Sequence, residues 1–295
     1  MRTPLLLFFA TCLTSVAAGL YSTGANPFEP ATYGVAEWGL AFLYAIALLL
    51  ILGAHEGGHY FTAQRRNVEV SPPYFLPALG PIPGLGVVPF FGTFGAFIKM
   101  ELRELKAQDL AAIAAWGPIA GFVVTVVAIF AGVALSEPIV FEPSEGLLLG
   151  DPLLLAFATE LFHPDMTAEM ELMLHPLALA GWVGALLTAL NLLPLGQLDG
   201  GHLAYALLGE RARWISYCGL LVLLILGIFF FPGWLILVAF LFWMGLRHPP
   251  ILEGNPGGRA TGIYAGLCLV IFVLTFTPAP VIVDGLLVLL NLDYS

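Results

Sequence analysis

Hydrophobic positions in this chain do not alternate with polar ones; they run together. Stretches almost free of charge lie near residues 4–20, 36–63, 110–135, 176–200, 213–230, 233–246, 260–277 and 280–292. A bilayer core about 30 Å thick takes about 20 apolar helical residues to cross, and fewer where a helix is packed within a bundle. The expected fold is therefore an all-α polytopic membrane protein with about eight transmembrane helices, six at the least. The apolar run from Tyr217 to Leu246 is too long for one crossing, and "FPGW" at Phe231 to Trp234 puts Pro and Gly where a hairpin would turn. "TPAP" from Thr277 to Pro280 separates the last two stretches in the same way.

One apolar stretch cannot be a helix. Residues 70–100, "VSPPYFLPALGPIPGLGVVPFFGTFGAFIKM", hold six prolines and five glycines. A re-entrant or interfacial loop is predicted here, between the second and third helices, with "TFGAFIKM" as its β-compatible part. Thr93, Phe94, Gly95 and Ala96 in that part are candidates to bind an unwound substrate by strand addition, against the plainer reading of a structural plug.

Composition agrees with the pattern: 59% of the 295 residues are hydrophobic and 10% are charged, and the mean hydropathy is +0.94, which excludes an ordinary soluble domain. Cys12, Cys218 and Cys268 lie in apolar runs without disulfide or thiolate-metal spacing and read as small core residues. The net charge of −10 argues against a nucleic-acid partner, but its distribution says more. Counting sides along the predicted spans puts all ten basic residues, Arg2, Arg65, Arg66, Lys99, Arg103, Lys106, Arg211, Arg213, Arg247 and Arg259, on one face. The positive-inside rule makes that face cytoplasmic, with both termini on it. The opposite face carries Ser136 to Leu174, which has eight acidic residues and no basic one and reads as solvated surface. The first span also has the basic start, apolar stretch and small residues of a signal peptide, an alternative that leaves the other orientations unchanged.

The chemistry begins at "HEGGH", residues 55–59, inside the second apolar stretch. Residues four apart on a helix share a face, about 6 Å apart along the axis, so His55 and His59 can reach one metal ion. Glu56 is turned by about 100° and can bond a water held on that metal, as in HExxH metalloproteases. Three such groups at membrane depth are costly unless a cation joins them. Two polar histidines bonded across a bundle are the alternative. A hydrolytic zinc site needs a third ligand and an open position. Asp199, in "NLLPLGQLDGGH", follows an apolar helix on the same side and is flanked by glycines; His202 is its rival. His163 and His175 belong to the other face, and His248 sits beside "PP" in a cytoplasmic loop. Asn191 and Pro194 mark a helix break of the kind tolerated at depth only when buried or lining a wet cavity. "GPIAG" at Gly117 to Gly121 reads as packing between helices.

"HEGGHY", "FFGTFGAFIKM" and "NLLPLGQLDGGH", in this order, resemble the site-2 protease family of zinc intramembrane proteases, over about residues 36–210. The resemblance implies zinc held by His55, His59 and Asp199, with Glu56 as catalytic base and Asn191 near the substrate. It also implies a sheet in the loop around Thr93 to Ala96. The organisation expected is an N-terminal helix with a short outer loop (1–35), a metalloprotease core (36–210) and C-terminal hairpins (211–295). No stretch is long enough for an inserted PDZ domain or a terminal CBS pair, so a minimal member is expected. The activity implied is hydrolysis of peptide bonds in transmembrane segments of membrane-anchored proteins, with the lipid bilayer, here a bacterial cytoplasmic membrane, as the other partner. A metal or proton transporter and an inactive scaffold are the competing readings.

Overall fold

The computed structural model describes residues 2–23, 33–78, 91–100, 105–140, 148–167, 169–245 and 257–282. Helices dominate it. In chain order they are α1 (Arg2–Ser22), α2 (Val35–Arg65), α3 (Ala107–Val133), α4 (Leu153–Phe162), α5 (Pro176–Leu192), α6 (Asp199–Leu208), α7 (Ala212–Phe229), α8 (Gly233–Met244) and α9 (Arg259–Thr275). Two short antiparallel pairs complete the described part: β1 (Tyr74–Pro77) with β2 (Thr93–Phe97), and β3 (Glu137–Val140) with β4 (Met170–Met173).

Among the described residues, four apolar helical runs are long enough to cross a membrane unaided: α1, α2, α3, and the stretch Asp199–Phe229 formed by α6, a 3-10 turn and α7. The other apolar helices, α4, α5, α8 and α9, are 10–17 residues long. The mostly helical expectation holds at this coarser level. The stretch predicted at 176–200 is divided: α5 stops at Leu192 and a new helix starts at Asp199. The stretch predicted at 280–292 lies outside the described residues from 283 onward, as do His248 and the middle of the proline-rich loop, 79–90.

The segment read as a solvated acidic loop is more ordered than its charge suggested. β3 and β4 pair along their length, Glu137 opposite Met173 and Val140 opposite Met170, and α4 buries Leu154, Leu155 and Ala158 against the body.

Helices α2, α3 and α5 form the centre. Their shared surfaces are small: Ala111, Ala115, Ala178, Ala180 and Ala185 are completely buried. Without water to drive helices together in a bilayer, close van der Waals approach does so, and small residues permit it. Gly132 faces Ala178, Gly181 faces Ile129, and Gly184 faces Ile51 and Thr125, so an added methyl at any of the three would push helices apart.

The β1–β2 pair is fixed from below by α1 and α2. Thr14 Oγ1 donates to the carbonyl of Gly92 at 2.6 Å, and the Tyr44 hydroxyl donates to that of Phe91 at 2.9 Å. The register runs Tyr74 to Phe97, Phe75 to Ala96 and Pro77 to Thr93, with an irregularity before Pro77. Among the described residues β1 is the only strand paired with β2, and Phe94, Gly95 and Ala96 of β2 line the cavity beside His55 and Glu56.

Candidate metal centre

His55 and His59 are both carried by α2, one turn apart, and both are buried, 5% and 6% exposed. Asp199 reaches them from a different element. Between α5 and α6 the chain leaves helical geometry over residues 193–198, with Gly196 at φ +52°, and Gly200 lies so close to the carbonyl of Leu192 that no side chain fits there. The turn thus sets Asp199 at the first position of α6, where the positive end of the helix dipole favours a carboxylate.

Asp199 Oδ2 lies 3.3 Å from Nε2 of His55 and 3.3 Å from Nε2 of His59, and the two Nε2 atoms are 3.1 Å apart. Four-coordinate zinc with ligand bonds of about 2.0–2.1 Å has neighbouring ligand atoms about 3.3 Å apart, so the triangle has the dimensions of one face of such a site. The hydrogen bonding points the same way. His59 Nδ1 donates to the carbonyl of Ile113 at 2.8 Å, which leaves Nε2 as a lone pair; Asn191 Nδ2 donates toward Nε2 of His55 at 3.4 Å, which assigns a lone pair there too. Two nitrogen lone pairs and a carboxylate oxygen facing one another in a buried place repel unless a cation lies between them. The residues present therefore fit a zinc ion, with a fourth position left toward the neighbouring cavity.

That cavity, of about 160 Å³, is lined by His55 and Glu56 at one end, by Phe94, Gly95 and Ala96 of β2, and by Leu187, Thr188 and Asn191 of α5. Glu56 is 2% exposed. Of the residues singled out for substrate contact, Thr93 is placed elsewhere. Its hydroxyl donates to the carbonyl of Leu76 at 2.9 Å and accepts from the amide of Gly95 at 3.0 Å, which shapes the start of β2. Gly95 has φ +101°, a conformation that favours glycine.

His202 is not in the three-residue group. His163 Nε2 donates to the carbonyl of Val133 at 2.8 Å, and His175 caps α5 by accepting from the amide of Leu177; both serve the opposite end of the bundle.

Two positions that the sequence presents only as packing lie against the histidines. Gly117 lies against the ring of His59, so closely that an added methyl would occupy the ring's place, and a methyl on Gly121 would come within 3.0 Å of His55 Cβ. Gly58, between the histidines, lies against the carbonyl of Trp116. The "GPIAG" segment of α3 is thus the seat of both imidazoles. The signal was its i, i+4 glycine spacing, which matches that of His55 and His59.

Comparison with known proteins agrees with this geometry. A rice protein named "Probable zinc metalloprotease EGY2, chloroplastic" (Oryza sativa subsp. indica) is 32% identical over 175 residues, 57% of this chain and 29% of its own length. Its Arabidopsis thaliana counterpart is 28% identical over the same extent. "Probable zinc metalloprotease EGY1, chloroplastic" of Arabidopsis thaliana is 29% identical over 305 residues, 93% of this chain and 52% of its own length. The chain thus spans about half, or less, of the curated relatives it matches. No solved structure matches it. The pattern of Peptidase family M50 matches residues 43–231, which takes in both histidines, Glu56, the β1–β2 pair and Asp199, and the chain belongs to that family.

Proposed function

We propose that the protein is a zinc-dependent intramembrane endopeptidase that cuts membrane-anchored proteins within or beside their transmembrane helix. The observation that carries this reading is the buried triangle of His55 Nε2, His59 Nε2 and Asp199 Oδ2 with Glu56 beside it, next to a cavity lined in part by β2. Zinc held by His55, His59 and Asp199 would supply Lewis-acid chemistry at the scissile carbonyl and the attacking water. Glu56 is the group that would take a proton from the water and pass it to the departing amine. His55, His59 and Asp199 are the ligands in this scheme. Ile113, through its carbonyl, holds the tautomer of His59. Asn191 lies close enough to His55 to orient either the ring or the substrate.

A helical substrate hides its carbonyls in its own hydrogen bonds and must unwind before it can be cut. In this scheme β2 offers the replacement partners, Phe94 to Ala96, by strand addition. Substrate spans with Gly, Pro or polar residues unwind at least cost. For location the reading keeps a multi-pass protein of a bacterial cytoplasmic membrane, with its basic face inside; the plant relatives carry a chloroplast destination in their names.

The test is Glu56→Gln, measured by zinc content and by cleavage of a co-expressed membrane-anchored reporter. A peptidase keeps its zinc and loses cleavage by a factor of about 10² or more. Unchanged cleavage overturns the reading, and a transporter instead loses metal or proton flux. Removal of residues Thr93 to Ile98 is expected to abolish cleavage while zinc content is spared; cleavage that survives removes strand addition from the scheme.

A further inference from the structure

The cavity next to His55 and Glu56 has a wall that the catalytic elements do not provide. Leu237 and Phe240 of α8 form part of its lining. The family pattern ends at residue 231 and α8 starts at Gly233, so this wall comes from a part of the chain that the shared pattern does not describe. The wall is held in place. Trp234, 2% exposed, donates from Nε1 to the carbonyl of Pro278 at 2.7 Å and stacks on Phe276 with ring centroids 5.9 Å apart, while Leu241 is buried against Leu193, Leu195 and Leu223.

The lining combines a few polar groups with many apolar ones. His55, Glu56 and Asn191 supply polar groups, and the Thr188 hydroxyl is taken up by the carbonyl of Gly184 at 2.8 Å. The remainder is aliphatic and aromatic: Ile51, Leu52, Leu187, Leu237 and Phe240. The volume, about 160 Å³, decides what can enter. An apolar cavity of about 150 Å³ in another protein stays dry and holds one benzene molecule. The space here therefore suits one side chain of about six carbons, and is a closer match to a benzene-sized group than to an indole.

We propose that this cavity receives a single apolar side chain of the substrate, next to the bond to be cut, and that Leu237 and Phe240 set its size preference: leucine, isoleucine or phenylalanine over tryptophan. The proposal rests on the peptidase reading and adds to it the determinant of side-chain choice. Apolar pockets discriminate by about 10–200-fold for one methylene, so a wall residue has leverage over the rate without touching zinc.

The experiment uses the full zinc-loaded chain and a library of single-span reporters whose apolar segment varies in sequence, with cut sites located by mass spectrometry. Once the bond is located, its flanking positions are set in turn to Ala, Leu, Phe and Trp. The wild type is expected to cut Leu and Phe reporters at least tenfold faster than the Trp reporter at one flank. Phe240→Ala and the Leu237→Ala, Phe240→Ala pair should bring the Trp reporter to within about threefold of Leu, and Phe240→Trp should narrow the choice toward Ala. A preference profile unchanged in all three, at retained zinc content, overturns the proposal.

A second readout does not depend on turnover. With Glu56→Gln as background, a photoreactive phenylalanine analogue at position 240 should crosslink to the reporter at the residue flanking the bond; crosslinks elsewhere or none count against it. Cleavage that persists in Glu56→Gln, or a library that the wild type never cuts, sinks the peptidase reading and this pocket with it. Loss of cleavage in Glu56→Gln, with size preference indifferent to residue 240, sinks the pocket alone.

Discussion

At the scale of single residues, two side chains that are not there decide the site. Gly117 and Gly121 of α3 leave the space that the rings of His59 and His55 occupy. Ala at 117 has to displace His59 and break its bond to the carbonyl of Ile113. Disturbing the support of a metal ligand typically costs about 10–100-fold in affinity, so Gly117→Ala is expected to lower zinc affinity by at least that factor, as measured by metal analysis of the purified protein against a chelator series. Gly266→Ala on α9, where an added methyl meets nothing within 4 Å, is the control and should bind zinc as the wild type does. Equal zinc retention by both variants removes the supporting role. The sequence made the two histidines legible because helix geometry alone fixes where i and i+4 point. It gave no means to see that the glycines of "GPIAG" oppose them, since which face of α3 meets α2 is a tertiary fact. Thr93 shows the converse: its place in a promising segment suggested contact with substrate, whereas its hydroxyl serves the backbone of Leu76 and Gly95.

Among the elements, α4 departs furthest from its sequence. Ten residues, "LLLAFATELF", eight of them apolar, inside an acidic run are too few to cross a bilayer and read as part of a solvated loop. In the fold they make a helix with one face buried and another, Leu153, Phe157 and Leu161, 55%, 62% and 56% exposed. That second face continues an exposed stripe of α3, Val123 and Val127, by way of Phe130, whose ring lies 6.1 Å from that of Phe157. A stripe continuous with the lipid-facing side of a membrane helix is expected to lie in the bilayer rather than in water. Trp placed at 157 in a protein whose other tryptophans are replaced should show blue-shifted emission, quenched by lipids brominated on the acyl chain; emission at the wavelength of tryptophan in water, insensitive to those lipids, refutes this. The helices α2, α3 and α7, by contrast, begin and end within three residues of the predicted stretches, because their length and uniform hydrophobicity leave few alternatives.

For the whole molecule, the readable part was the list of apolar stretches and the order of the two metal motifs. The unreadable part was how the pieces meet: the break after Leu192 that aims Asp199 at α2, and the wall that α8 adds to the cavity, both depend on contacts distant in sequence. These contacts divide the bundle unequally. α2, α3 and α5 adhere through buried small residues, whereas α6 lies on α3 and α9 and reaches α2 chiefly through Asp199. Packing on α3 holds α6, but the link from the segment 193–244 to α2 runs through the proposed metal site, so removal of zinc should loosen that segment first. Ligand held at about a thousand times its dissociation constant stabilises a folded state by about 4 kcal/mol, enough for a clear fall in melting temperature when a chelator strips the protein in detergent. Hydrogen exchange should then rise in α6, α7 and α8 while α2 and α3 stay protected, because the latter pair is held by packing that zinc does not supply. In Asp199→Ala the same helices should exchange fast from the outset and the chelator should have no further effect. A uniform rise across all helices in the wild type, or a chelator effect that survives Asp199→Ala, means that the tie runs through contacts other than the metal.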